Sequence, residues 1–240
     1  MSSRDNALWQ QCWRDRQTDF HQQEVNRFLT RFWQGLELAQ GSRVFVPLCG
    51  KSLDMIWLAQ QGHEVVGLEL SPVAVRAFFR ENHMQPSRRK VGRFTLWRAG
   101  KISILCGDYF SAGRADLGEI DVVYDRAALT ALPEDIRRLY VAHLKLILPA
   151  ACKMFLLTVE DADKGETREV TLGPSAEVIA LYSEAFGIEL AHVESILEPD
   201  PDRGDGIARC SEHKVYRLIP KQGCQEQHEA GPRTSAVCNN

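Results

Sequence analysis

The first segment whose residue types could do chemistry is residues 47–52 (PLCGKS). Gly50 lies there between an apolar run and a helical pattern, and a glycine in such a loop lets a ligand approach the backbone closely. The start of the helix that follows favours an anionic group. The spacing matches neither the phosphate-binding GxxxxGK[ST] loop nor the dinucleotide-binding GxGxxG loop. The pattern alone therefore predicts either a ligand-binding loop or an ordinary turn.

An acidic residue, Glu69, follows 19 residues after Gly50, at the end of the next apolar run. At about 20 residues from a glycine loop, a carboxylate can accept hydrogen bonds from the hydroxyl groups of a ribose. The alternative is a surface acid that follows a strand without binding anything. Taken together, the two features favour an adenosine-containing ligand. Because the GxGxxG fingerprint of nicotinamide cofactors is absent, we expect S-adenosylmethionine rather than a dehydrogenase cofactor.

A third segment is the apolar run at residues 120–124, which is followed by Asp125 and Arg126. A strand that ends in charged residues at the binding edge of a sheet often faces the ligand. The alternative is that Asp125 and Arg126 pair only with each other. The pattern leaves both interpretations open.

The elements that must position these segments alternate along the chain. Strands are predicted at residues 43–48, 64–69, 94–98, 102–106, 120–124 and 152–159. Helices are predicted from their spacing of apolar residues at 22–36, 52–61, 71–84, 133–148 and 176–186. This alternation predicts an α/β fold with a mostly parallel sheet and helices on both faces. Two late runs, 188–196 and 213–219, have no helix between them and predict an antiparallel hairpin at one edge.

The length of 240 residues fits one domain with a tail. We expect a single domain over residues 1–219, in which residues 1–40 form a helical segment that covers the site. Residues 220–240 lose all hydrophobic periodicity and are interpreted as a disordered tail. The formal net charge is -3, so a nucleic-acid partner is not expected. The basic run at residues 88–90 is interpreted as a solvated loop.

The seven cysteines are irregularly spaced and form no CxxC pair, which fits a reducing compartment better than a disulfide framework. The first residues carry no apolar run typical of a signal peptide, and no run approaches the length of a membrane span. We therefore expect a cytoplasmic protein without a membrane partner. No metal site is expected from the sequence. In the absence of an apolar interface stripe, we also expect a monomer.

Residues 46–71 (VPLCGKSLDMIWLAQQGHEVVGLELS) strongly resemble the thiopurine S-methyltransferase family, in its bacterial type. The family's hallmark is PLCGKS followed by DM, WLA, GH and VVGxELS. Residues 124–133 (YDRAALTALP) match the same family. So does the N-terminal pattern formed by Trp9, Trp13, Phe20, His21, Val25 and Asn26. The resemblance, over about residues 8–218, implies a Rossmann-like class I methyltransferase with seven strands, six of them parallel and one reversed.

The resemblance also implies S-adenosylmethionine as the cofactor and names its contacts. Trp13 would lie near the sulfonium, in a cation–π contact worth about 0.5–2 kcal/mol. Leu48 would offer its backbone, and Glu69 would bind the ribose. Arg126 would place a positive charge near the cofactor or the substrate, and it is the candidate catalytic residue.

Three further residues belong to the expected cofactor site. Gly50 is part of the first loop. Asp108 and Tyr109 follow the third parallel strand, where enzymes of this fold usually bind adenine. We therefore expect this pair to contact the adenine ring.

The resemblance places the methyl acceptor near Phe20 and His21, and Arg203 is a further candidate for the acceptor side. Phe20 would line the acceptor pocket, with core packing as the alternative, and His21 would be a base or a structural histidine. Arg203 or Arg126 would lower the pKa of the acceptor thiol. Cys49 is rejected as a nucleophile, because methyl transfer to sulfur is a direct displacement that needs no enzyme nucleophile. The enzyme would contribute alignment and exclusion of water.

The implied activity is methyl transfer to the sulfur of an aromatic or heterocyclic thiol such as a thiopurine, with selenium or tellurium compounds as further acceptors and detoxification as the role. The sequence departs from the family at residues 170–175 (VTLGPS), where a GPPF segment is usual, and this departure bears on the choice of acceptor. A halide or small-thiol methyltransferase is one alternative. A non-catalytic protein that binds the cofactor is the other.

Overall fold

The computed structural model of the protein describes residues 3–15, 17–18, 21–161, 173–199 and 208–221. The α-helices in these ranges are α1 (Ser3–Asp15), α2 (Arg27–Phe32), α3 (Asp54–Gln60), α4 (Pro72–Glu81), α5 (Arg114–Leu117), α6 (Ala128–Ala131), α7 (Glu134–Ile147) and α8 (Ala176–Tyr182). Short 3-10 turns lie at Trp33–Leu36 and Tyr109–Ser111. None of the helices in the described ranges is both long enough and apolar enough to cross a membrane.

The strands in the same ranges are β1 (Arg43–Pro47), β2 (Glu64–Glu69), β3 (Ser87–Val91), β4 (Phe94–Ala99), β5 (Ile102–Cys106), β6 (Val122–Arg126), β7 (Lys153–Asp161), β8 (Phe186–Pro199) and β9 (Ala208–Pro220). They form one sheet in the order β3-β4-β5-β2-β1-β6-β7-β9-β8. The neighbours from β5 to β7 all pair in parallel. The chain runs outward from β1 to β2 and β5, and then returns to β6 and β7 on the other side. The order therefore reverses between β1 and β6, where an open α/β sheet forms a ligand crevice.

The strand count corrects one expectation, because the described residues form nine strands rather than seven. Seven of them, in the order β5-β2-β1-β6-β7-β9-β8, give the expected pattern, with β9 as the reversed strand. The other two, β3 and β4, form an antiparallel hairpin beside β5. The interpretation of residues 88–90 as a loop is wrong, since they lie in β3. The sequence of β3, SRRKV, has no apolar alternation because it is an edge strand, with four of its five residues exposed.

The parallel strands divide the core into two layers, because successive side chains point to opposite faces. On one face Phe45 and Leu68 are buried in the same cluster as Tyr140 of α7. On the other face Val44 and Val46 belong to a cluster with residues of α2 and α4. Helices therefore cover both faces of the sheet, as predicted.

Side-chain caps set where the helices begin. Ser71 Oγ accepts a hydrogen bond from the Ala74 amide at 3.4 Å, and Pro72 is the first residue of α4. The helix predicted at 22–36 is shorter, with α2 beginning at Arg27. It begins there because Asn26 Oδ1 accepts hydrogen bonds from the next two free amides, those of Phe28 and Leu29, at 2.9 and 3.4 Å.

The late hairpin is confirmed, since β8 and β9 pair antiparallel along almost their whole length. Strand β9 then pairs antiparallel with β7, and this attaches the hairpin to the parallel strands. The strand extends to Pro220, which the sequence assigned to the tail. The rest of the predicted tail, from residue 222 on, lies outside the described residues.

Candidate functional site

A pocket opens beyond the carboxyl ends of β1, β2, β5 and β6, at the crevice that the strand order predicts. It holds about 860 Å³ of empty space, part of which is open to solvent. The predicted site residues that line it are Trp13, His21, Leu48, Gly50, Glu69, Asp108, Tyr109 and Arg126. Phe20 and Arg203 lie outside the described residues, as do residues 170–172 of the divergent segment 170–175.

The loop after β1 is bent so that its backbone faces the pocket. Leu48 has φ +47° and Gly50 has φ +53°, both in the left-handed region. A Cβ atom added to Gly50 would lie 3.0 Å from Cζ2 of Trp13. The position therefore requires glycine for its conformation and also for the close approach of the indole ring.

The Glu69 carboxylate holds this loop and the next one together. Its Oε2 accepts a hydrogen bond from the Gly50 amide at 2.8 Å, and its Oε1 accepts one from the Ser71 amide at 2.7 Å. The side chain is buried, and this burial raises the pKa of Glu69 although the amide hydrogen bonds oppose the rise. Each carboxylate oxygen has a second acceptor position. The group can therefore bind two vicinal hydroxyls while it keeps both backbone contacts.

Helix α1 supplies the indole of Trp13, which is buried although it lines the pocket. Asn6 and Trp9 of the same helix also line the pocket. Trp9 belongs to the N-terminal sequence pattern but was not predicted as a site residue. The spacing of Trp9 and Trp13, four residues apart on a helix, was the signal that both face the same side.

Arg126 is held by an acid that the sequence analysis did not single out. Its Nε lies 3.4 Å from Oδ2 of Asp54, which is almost completely buried at the start of α3. The same Oδ2 accepts a hydrogen bond from the Tyr124 hydroxyl at 2.8 Å, and Oδ1 accepts one from the Asn26 amide at 2.8 Å. Asp54 thus joins β6, α3 and the N-terminal segment. The detectable signal was a lone acid in the otherwise apolar run LDMIWLA.

Asp125 points to the opposite face of the sheet, so the alternative in which Asp125 and Arg126 pair only with each other is wrong. The Asp125 carboxylate accepts hydrogen bonds from the Tyr140 hydroxyl at 2.7 Å and from the amides of Ala128 and Leu129 at 3.1 and 3.3 Å. It caps α6, a short helix that lines the pocket. Burial raises the pKa of Asp125 to about 6.

Asp108 and Tyr109 lie side by side on the pocket wall, but they have different surroundings. Asp108 Oδ1 accepts a hydrogen bond from the Phe110 amide at 3.2 Å and caps the 3-10 turn. Tyr109 is buried, and its hydroxyl donates to the backbone oxygen of Tyr140 at 3.1 Å. The phenol group of Tyr109 is therefore part of the fold, and Asp108 keeps one carboxylate oxygen free of the cap.

Two titratable groups near the loop have shifted pKa values. Burial, and then the positive charges of Lys51 and Arg126, lower the pKa of His21. The imidazole is therefore neutral near pH 7 and can accept a proton. Burial, and then the charge of Glu69, raise the pKa of Cys49 well above its ordinary value, so the thiol stays protonated and is a poor nucleophile. Within the described ranges, no three His, Cys, Asp or Glu side chains form a group able to hold a metal ion.

Comparison with protein families matches residues 4–221 to the family described as thiopurine S-methyltransferase. A thiopurine S-methyltransferase of Stutzerimonas stutzeri is 59% identical to this chain over 222 residues, which cover 92% of this chain and 94% of that protein. A thiopurine S-methyltransferase of Nitrosospira multiformis is 43% identical, covering 89% of this chain and 97% of that protein.

Solved structures of more distant proteins share the fold. An S-adenosylmethionine-dependent methyltransferase from Anabaena variabilis aligns with a TM-score of 0.58 at 17% identity, covering 89% of this chain and 94% of that chain. A 1,6-didemethyltoxoflavin-N1-methyltransferase from Burkholderia thailandensis, solved with S-adenosylhomocysteine, aligns with a TM-score of 0.55 at 16% identity, covering 89% of this chain and 87% of that chain. The predicted class of fold is therefore confirmed.

Proposed function

This chain belongs to the thiopurine S-methyltransferase family, and from that premise we propose that it methylates the sulfur of an aromatic or heterocyclic thiol, such as a thiopurine, with S-adenosylmethionine as the methyl donor. The observation that carries the proposal is the Glu69 carboxylate, fixed by two backbone amides at 2.8 and 2.7 Å in the wall of the pocket. A carboxylate in this setting suits a ribose diol.

In this proposal, different residues of the pocket bind different parts of the donor. Glu69 would hold the ribose, and Asp108 with the wall around Tyr109 would hold the adenine. Gly50 lets the ligand lie against the loop backbone, and Trp13 closes over it from α1. When bound, S-adenosylmethionine supplies an electrophilic methyl group on a sulfonium centre.

Arg126 is the residue that we place nearest the reacting sulfur. Arg126 lines the pocket. The Asp54 carboxylate that pairs with it also accepts a hydrogen bond from the Tyr124 hydroxyl, so its negative charge is shared between two partners. The positive charge of Arg126 would stabilise an acceptor thiolate, and aromatic thiols ionise readily near neutral pH. His21, neutral near pH 7, could take up the thiol proton, although its backbone contact with Thr18 also fits a structural role.

The acceptor side includes two more proposed residues, Phe20 and Arg203. We propose that selenium or tellurium compounds are secondary acceptors and that the role is detoxification. We also propose that residues 1–219 act as one catalytic domain, as a monomer in the cytoplasm, on small molecules and without nucleic-acid or membrane partners. The cysteines support the location, since Cys12, Cys49, Cys106 and Cys152 are free thiols.

The test is a methyl-transfer assay with labelled S-adenosylmethionine and a panel of acceptors: a thiopurine, an aromatic thiol, selenite, tellurite and iodide. We expect the highest turnover on the thiopurine or the aromatic thiol. Turnover on iodide alone would replace the proposal by a halide methyltransferase. Tight binding of S-adenosylmethionine without turnover on any acceptor would leave a cofactor-binding protein.

The same assay tests Arg126. We expect Arg126→Gln to lower turnover on the aromatic thiol at least tenfold, whereas Arg138→Gln, which removes an exposed arginine from α7, should leave turnover unchanged. Unchanged turnover and unchanged donor affinity in Arg126→Gln would remove Arg126 from the mechanism.

A further inference from the structure

A second groove lies between α4 and the β3–β4–β5 part of the sheet, outside the pocket described above. It holds about 670 Å³ of empty space and is open to solvent. We call it the basic groove, and the residues that define it are Arg76, Arg88, Lys90, Thr95, Trp97 and Cys106. Arg89 lies at its rim. None of these residues has a role in the proposed methyl transfer.

The register of the hairpin explains why these side chains converge. Arg88 lies opposite Trp97, Lys90 lies opposite Thr95, and Thr95 lies opposite Cys106 on the next strand. Since paired residues and residues two apart share a face, all five side chains point to the same side of the sheet. Helix α4 covers that side, because the ring of its Phe79 stacks on the ring of Trp97. The ring centroids are 6.2 Å apart and the ring planes are inclined by 11°.

Arg76 reaches the groove from α4 itself. It lines the groove together with Cys106. Burial, and then the charge of Glu69, raise the pKa of Cys106 to about 11, and the positive charges of Arg76 and Lys90 oppose that rise. The two cations therefore act on the same floor residue from opposite walls.

Among the residues that the structure describes, the lining of the groove contains no acid. Residues 71–107 contain eight Lys or Arg and one acid, Glu81, in a chain whose net charge is -3. Glu81 is paired with Lys51 at 2.8 Å and with Arg80 at 3.3 Å, outside the groove. Within the described part of the chain, Arg76, Arg88 and Arg89 form no ion pair. Four cations so concentrated, and without acidic partners, attract an anion.

The donor set specifies which anion. Arginine guanidinium groups bind phosphoryl oxygens through two parallel hydrogen bonds, and the Thr95 hydroxyl adds a neutral donor. Cζ of Arg88 lies over the Trp97 ring, 5.2 Å from its centroid, so a cation–π contact holds this guanidinium at the groove.

We propose that the basic groove binds a phosphorylated small molecule, with Arg76, Arg88 and Lys90 as the ligands of its phosphoryl group. The free volume exceeds that of an inorganic phosphate ion, so a diphosphate or a nucleotide would fill the groove better. The site is separate from the methyl-transfer pocket, and its occupant is held by charge rather than by apolar contact.

The test is isothermal titration of the purified protein with inorganic pyrophosphate, with ATP and with a single-stranded RNA of 30 nucleotides. We expect pyrophosphate and ATP each to bind with one-to-one stoichiometry. We expect the affinity of both to fall as salt is added. Comparison of the two ligands distinguishes a phosphate site from a nucleotide site. Arg76→Gln and Arg88→Gln should each weaken binding about tenfold or more, since each removes a charge-assisted hydrogen bond.

The matched control is Arg98→Gln. Arg98 is an exposed arginine of β4, next to Trp97 in the chain and therefore on the other face of the hairpin. We expect less than a twofold change in this variant, and unchanged methyl-transfer activity and melting temperature in all three. Equal pyrophosphate affinity in Arg76→Gln, Arg88→Gln and Arg98→Gln would overturn the proposal. RNA binding that is tighter than pyrophosphate binding, and is lost in the same two variants, would also overturn it, in favour of a polymer site.

Discussion

Carboxylates are held in two different ways in the two halves of this sheet. In the cofactor half, formed by β5, β2, β1 and β6, Glu69 and Asp125 accept hydrogen bonds from backbone amides, and Asp125 accepts one more from a tyrosine hydroxyl. In the hairpin half, formed by β7, β9 and β8, Glu160 and Glu212 share the ammonium group of Lys214 at 2.9 and 3.1 Å. Neither Glu69 nor Asp125 has a salt bridge within the described ranges.

The difference has a consequence for function. A carboxylate held by amide dipoles keeps acceptor positions free. Burial raises its pKa because the hydrogen bonds, and for Asp125 also the charge of Arg126, offset the lost hydration only in part. Glu69, which lines the pocket, therefore remains available to a ligand hydroxyl. A carboxylate paired with a buried lysine has its charge satisfied within the fold, and it serves the structure. We therefore expect Glu69 in the cofactor half to bind a ligand, and the ion pairs of Lys214 in the hairpin half to stabilise the fold.

The largest effect that this comparison predicts is a loss of unfolding free energy in the variant Lys214→Met. Lys214 is 1% exposed, so its loss would leave Glu160 and Glu212 close together without a counter-charge. Breaking a buried ion pair in this way costs about 3–5 kcal/mol of unfolding free energy. Urea denaturation would measure it, with Lys221→Met, which removes an exposed lysine, as the control. A loss below 1 kcal/mol would mean that the hairpin half does not depend on its ion pairs.

The next effect is a pH dependence that comes from Asp125. Its pKa is about 6 in the folded protein and 3.8 ordinarily, so the folded state binds this proton more tightly than the unfolded state. The stabilisation from this proton is complete below about pH 4 and is lost as the pH rises to about 6, by about 3 kcal/mol at 1.36 kcal/mol per pKa unit. Relative to Asp125→Asn, the wild-type protein should therefore lose stability between pH 4 and 6.5.

Denaturation curves at several pH values would measure this difference. The control is Asp135→Asn at an exposed position in the first turn of α7. A wild-type protein that gains stability relative to Asp125→Asn as the pH rises would contradict the amide-held account of this carboxylate.

Glu69→Gln tests whether an amide-held carboxylate binds the ligand. The glutamine NH₂ would face a backbone amide and could not accept its hydrogen bond, so the ribose contact and one loop contact would be lost together. Two charge-assisted hydrogen bonds correspond to about 3 kcal/mol, or about a hundredfold in affinity for S-adenosylhomocysteine. Glu64→Gln, at the other end of the same strand, should bind like the wild type. Calorimetry giving Glu69→Gln a dissociation constant within threefold of the wild type would contradict the role of Glu69.

The same division explains how much of the molecule could be predicted from the sequence. Gly50 and Glu69 were predicted because a backbone turn and a strand end leave local signals, and the structure places both in one pocket. Strand β3 was missed because its pairing with β4, and not its own residues, makes it a strand. Asp54 was missed because its partners Asn26 and Tyr124 are 28 and 70 residues away in the chain. Contacts of that kind depend on the fold, and the local sequence shows only a lone acid in an apolar run without indicating its partners.

Asp54→Asn has the smallest expected effect. It tests the comparison most directly, because Asp54 is a buried acid next to the cofactor pocket that does have a cation, Arg126. If this ion pair serves catalysis, releasing Arg126 should lower kcat about tenfold, about 1.4 kcal/mol of barrier, and change KM for S-adenosylmethionine little. Tyr124→Phe removes a hydrogen bond from the same carboxylate and keeps its charge, so its kcat should fall less. Equal losses of kcat in the two variants would show that Asp54 contributes through its hydrogen bond with Tyr124 and not by positioning Arg126.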